Sequence, residues 1–218
     1  MCFSATASFT AAGVLSVIGA VTIRKASKPS QKLFASIPLI FAIQQLSEGF
    51  LWLSLSNESY SGLTKLTTHS FLFFAQIIWP LCIPIAVLKL ESNSIKRNYL
   101  VGLSVIATLT TTVLLIFLIV FPVSASISGH HIEYNQGYPE QVLKYGAIPY
   151  LAVTIVPLFI SGIQKMKLLG AAVLVSYIFT AIFYRDYILS VWCFFSSIIS
   201  IIVFMIIRDL ATIKAKLN

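Results

Sequence analysis

The residues able to do chemistry are few in this sequence, and most fall near one end of its apolar segments. Glu48 sits within FAIQQLSEGFLWLSL, residues 41–55. Gln44, Glu48 and Trp52 recur at i, i+4 and i+8, so a helix carries them on one face, with Gln45 beside them. A carboxylate facing hydrocarbon would cost roughly 3 kcal/mol, so this face is expected to look into a bundle or a wet cavity. His69, His130, His131, Glu133 and Asp186, with Cys2 at the start of the chain, are expected at the same end. Imidazole, thiolate and carboxylate are the ligand set that zinc prefers. One divalent metal ion, with zinc favoured, is therefore an expected cofactor. Its candidate ligands are His69, His130, His131, Cys2 and Glu48, with Glu48 or Asp186 as ligand or general base. No HExxH or paired-cysteine motif is present to fix the set.

Other polar side chains reach that depth. Gln76 comes close to the level of Glu48, and Tyr177, Thr180 and Tyr184 follow i, i+3, i+7 spacing, with Ser190 and Trp192 opening the last apolar segment. Gln44, Gln45, Trp52, Gln76, Tyr177, Tyr184 and Trp192 are the expected lining of an outward-facing pocket. The plainer account of the Tyr and Trp residues is an interfacial aromatic belt.

The elements that must position these groups follow from hydropathy. The 218 residues are 58% hydrophobic and only 10% charged, with mean hydropathy +0.92, values that define an integral membrane protein rather than a soluble domain. Apolar stretches of about 20 residues, enough to cross a bilayer, occur at about 5–23, 33–54, 69–88, 99–123, 146–164, 167–184 and 187–207. The sequence thus predicts an all-α, seven-helix membrane bundle forming a single domain, with six spans as the competing count. Arg24, Lys25, Lys28, Lys32, Lys89, Lys96, Arg97, Lys165, Lys167, Arg208, Lys214 and Lys216 account for twelve of the 15 basic residues, and with seven spans all fall on one face. Basic loops stay cytoplasmic, which predicts the N-terminus outside and the C-terminus inside. The net charge of +8 is then mainly a topology signal, with no nucleic acid implied; the partners are the bilayer and a lipid or small-molecule substrate, and the oligomeric state is open. The absence of a basic n-region before the first segment argues against a cleaved signal peptide. The polar connection 124–145 is long enough to cap the bundle. Pro38, Pro80, Pro84 and Pro157 lie inside spans and are expected to kink them.

The opening MCFSATASF and the later IPLIFAIQQLSEGFLW resemble an uncharacterised bacterial multi-pass membrane family whose members begin MCFSA-x-ASF. The resemblance implies that Cys2, Ser4, Gln45, Glu48 and Trp52 belong to a family pattern, and a bacterial inner membrane location; it implies no activity. A retinal protein needs a lysine in its last span, and 187–207 contains none. Seven-span ceramidase-type hydrolases offer an analogy of architecture only, because their histidine spacing is absent. Three functions remain from the residues: a metal-dependent hydrolase of a lipid or small amphiphile, a transporter of a small solute, proton or metal ion, and a sensor or accessory subunit.

Overall fold

Ser4 begins the first helix: its backbone is extended and its side-chain Oγ accepts the Ala7 N–H at 3.2 Å, starting α1 (Ala5–Lys25). The computed structural model describes residues 4–217, so Cys2, one of the expected metal ligands, lies outside the described residues. Pro29 opens α2 (Pro29–Ala35), whose start is held by Gln31 accepting from the Ser27 N–H at 2.8 Å. After a break at Ser36, α3 (Ile37–Ser56) begins with Pro38 in its first turn, where a missing N–H costs nothing. Gly19 on α1 and Gly49 on α3 are there for contact. A Cβ on Gly19 would come 2.8 Å from the Leu39 backbone nitrogen, and one on Gly49 would come 2.7 Å from the Phe9 ring, so α1 and α3 lie together closely.

A 3-10 turn (Glu58–Leu63) leads into α4 (Thr64–Phe73), a π turn (Phe74–Ile78) and α5 (Trp79–Leu90), which together form one long span. The π turn has a sequence cause. Pro80 cannot donate to the carbonyl of the preceding turn, and the ladder adjusts by passing the Trp79 N–H to the Phe74 carbonyl. Asn93 then caps α6 (Ser94–Val120) by accepting the Lys96 N–H at 3.1 Å.

The all-α expectation needs a correction at residues 123–136. Strands β1 (Val123–Ser128) and β2 (His131–Gln136) form an antiparallel hairpin within the expected cap. Ser128 pairs with His131, leaving Gly129 and His130 as a two-residue turn; Gly129 has φ 60° and is the sole described residue with positive φ, the pattern of a type II′ turn. The chain continues through α7 (Glu140–Tyr145), α8 (Ala147–Ile160), α9 (Gln164–Phe183), α10 (Ile188–Phe194) and α11 (Ser196–Leu217).

Six of these helical units are long and apolar enough to cross a membrane, or seven if Arg185–Trp192 and Ser196–Thr212, bent by 42°, make one span. The chain thus has the character of a membrane protein. Its main core joins residues from all seven of these helical units, including Leu15, Phe34, Phe41, Trp79, Leu100, Leu158, Leu169 and Val203. Large apolar side chains such as Leu109, Ile116, Ile119, Val175 and Ile182 remain exposed along α6 and α9, as surfaces facing hydrocarbon should. The hairpin and the cluster of lysines and arginines lie at opposite ends of the helices, called here the hairpin end and the basic end.

Candidate functional site

Between α3, α5, α8, α9 and α11 lies a cavity of about 70 Å³, with Phe41, Gln44, Trp79, Tyr150, Thr154 and Trp192 among its lining residues. The volume suits an aromatic ring or a short length of hydrocarbon. Its polar edges are turned toward one another or toward backbone. Trp79 Nε1 donates to Gln44 Oε1 at 2.6 Å, Trp192 Nε1 to Ser176 Oγ at 2.9 Å, and Thr154 Oγ1 to the Tyr150 carbonyl at 2.8 Å. Phe41 stacks on Trp79 with ring centroids 3.9 Å apart. The π turn supplies one further contact. Because Trp79 donates to Phe74, the Ala75 carbonyl loses its ordinary helical donor and accepts instead the Tyr150 hydroxyl at 2.6 Å. With these groups satisfied, the wall offered to a guest is apolar and aromatic.

Glu48 lies one turn from Gln44 on α3, toward the hairpin end, and is fully buried. Ser190 donates to Glu48 Oε1 at 2.7 Å and Gln45 Nε2 donates to Oε2 at 3.3 Å. This knot joins α3 to the short helix α10, whose Leu189 and Trp192 border the cavity. Glu48 therefore closes the hairpin side of the cavity rather than lining it.

Beyond the knot, the hairpin packs on the bundle. Ile132 buries against Leu51 and Trp52, and Tyr134 stacks on Phe71 at 4.8 Å. Gln76, within the π turn, donates to Gln136 Oε1 at 2.9 Å and accepts from the Tyr138 hydroxyl at 2.9 Å, so the segment that borders the cavity also holds the hairpin.

The expected pocket residues thus divide. Gln44 and Trp192 line the cavity. Gln45 belongs to the Glu48 knot, and Tyr177 stands edge-on to Trp192 at 5.5 Å. Trp52 lies under the hairpin, and its Nε1 has no partner among the described residues. Tyr184 packs edge-on to His131 at 5.3 Å, while Tyr187 stacks on the same imidazole at 4.7 Å.

The expected metal ligands do not converge. His69 donates Nδ1–H to the Lys65 carbonyl at 2.8 Å and borders a groove between α4 and α6; His130 is exposed in the hairpin turn; Asp186 is exposed in a 3-10 turn (Arg185–Tyr187). Among the described residues, no three His, Cys, Asp or Glu side chains are grouped so as to hold a metal ion. Within the hairpin, His131 lies against Tyr184 and Tyr187. Burial pushes the His131 imidazole below its ordinary range, an effect the adjacent His130 reinforces.

Reading the sequence missed Tyr150 and Thr154 as cavity walls, and the π turn. The Trp79-Pro80 pair inside a long apolar run was the available signal for the latter, because proline demands relief in the preceding turn.

These features define a multi-helix membrane protein with an apolar cavity closed by a buried carboxylate knot. The chain belongs to a family of unknown function, DUF6629, which it matches over residues 1–216. No curated protein and no solved structure matches it.

Proposed function

We propose that this protein is a cell-membrane binding protein that takes the apolar portion of a small amphiphile into its central cavity. The observation that carries this reading is the wall itself: five aromatic or amide side chains meet around about 70 Å³ with their polar edges already engaged, so a guest is selected by shape and apolarity. In this reading the chain crosses a bacterial membrane seven times, α10 and α11 forming one bent span, with the hairpin end outside and the basic end in the cytoplasm; the one-sided distribution of lysine and arginine supports it. The expected amphiphile is retained from the residue analysis. Hydrolysis by bound zinc is not, because the described ligands stand apart.

The test is the content of the purified protein. Organic extraction and mass spectrometry should recover one amphiphilic species in stoichiometric amount. Val173→Trp, which fills the cavity from α9, should lose it while keeping its melting temperature. Equal recovery from both proteins would remove the basis of the proposal.

A further inference from the structure

A second concavity lies on the flank of the bundle, apart from the central cavity. It runs between α4 and α6 at the hairpin end, occupies about 1020 Å³, and is lined by Lys65, His69, Phe73, Phe74, Leu115 and Ile119, among others. Its chemistry is graded along its length. Lys65, His69 and Phe73 follow i, i+4, i+8 spacing on α4, so charge at the hairpin end gives way to aromatic surface over about 12 Å of helix. The α6 wall is apolar throughout, and Ile119 is 74% exposed.

The polar end is unclaimed by the protein. Lys65 is exposed, and among the described residues it enters no ion pair; the ion pairs present involve Lys165 or Arg208 with Asp209 at the basic end. His69 donates Nδ1–H to the Lys65 carbonyl, which leaves Nε2 free as an acceptor. A cation and an imidazole above an open hydrocarbon-lined groove match one kind of bilayer component.

We infer that the α4–α6 groove is a docking site for an anionic phospholipid, its phosphate on Lys65, a headgroup hydroxyl donating to His69 Nε2, and one acyl chain along Phe73, Phe74 and Ile119. The site is independent of the central cavity. A zwitterionic lipid can present the same chain, but its own ammonium competes for the phosphate, so the groove favours net negative headgroups.

The experiment reconstitutes the whole protein in equimolar phosphatidylcholine and phosphatidylglycerol, releases it gently and counts retained lipids by native mass spectrometry. One phosphatidylglycerol per chain should be retained in preference to phosphatidylcholine. Replacing both groups, Lys65→Ala with His69→Ala, should lower that retention by about fivefold or more. Ile119→Glu should do the same from the other wall without touching Lys65. Lys144→Ala, removing a cation that lies over the Tyr145 ring at 5.3 Å, should leave retention unchanged. Undiminished retention in the first two proteins, or an equal loss in Lys144→Ala, would overturn the inference. Displacement by inorganic phosphate alone would also overturn it, since that result identifies a free-anion site.

Discussion

Among the described residues two carboxylates are buried, and they are held in opposite ways. Glu48, among the helices, accepts from the side chains of Ser190 and Gln45. Glu91, 7% exposed at the basic end, accepts from backbone: the Asn93 N–H reaches Oε1 at 3.0 Å and the Gly162 N–H reaches Oε2 at 2.7 Å. Glu91 thus clasps the loop after α5 to the turn joining α8 and α9. A Cβ on Gly162 would come 3.3 Å from Glu91 Oε1, so the glycine lets the turn approach the carboxylate. Backbone N–H groups can only donate. A serine hydroxyl and a glutamine amide can exchange donor and acceptor roles. Glu91 is therefore fixed as an anionic clasp, whereas the Glu48 knot can be rebuilt with a neutral partner, as suits a closure beside a binding cavity.

Substitution at the clasp should break this contrast most visibly. Glu91→Ala strands two donors and should destabilise the protein by about 3 kcal/mol, measured as thermal unfolding in detergent. Glu91→Gln should rescue little, because its amide nitrogen faces one of the two N–H groups. At the knot, Glu48→Leu should cost about 2 kcal/mol, but Glu48→Gln less than half of that, since Ser190 can accept from the new amide. If Glu48→Gln is as damaging as Glu91→Gln, the distinction fails.

Acidification sharpens the comparison. Burial alone would raise the Glu91 carboxyl, but the Gly162 and Asn93 N–H groups, with Lys96 nearby, overcome it and hold the group below the usual carboxylate range. A folded value below the unfolded one gives stability that is fully present above the ordinary carboxylate value of about 4.3 and is lost as pH falls through the lower folded value. The wild-type melting temperature should drop across that interval, and the drop should be smaller in Glu91→Gln. The smallest effect is expected at the π turn. Tyr150→Phe leaves the Ala75 carbonyl without its hydroxyl and should cost about 1 kcal/mol while loosening cavity binding.

How much of this was legible in the residues depended on the range of the interaction. Hydropathy carried the long helices, and the cost of charge in hydrocarbon correctly implied that Glu48 faces inward. Its partner Ser190 lies 142 residues away, and nothing local to either residue announces the pair. The hairpin was legible only in part: Ser-Gly-His-His between short alternating runs is a turn signal, but its sparse apolar content was outweighed by the polar character of the whole connection. The strand pairing then carries His131 onto Tyr184 and Tyr187. Long-range placement, not residue type, decides which candidate ligands come together, and among the described residues no three do.

Brominated amphiphile quenching of tryptophan emission tests the central claim most directly, because Trp79 and Trp192 line the cavity and Trp52 lies outside it under the hairpin. In Trp52→Phe, which keeps the two cavity indoles, a brominated fatty acid should quench saturably at one equivalent per chain. The double variant Trp79→Phe with Trp192→Phe should show only weak, non-saturating loss. Equal quenching of the two proteins, or no saturation in the first, would contradict the account.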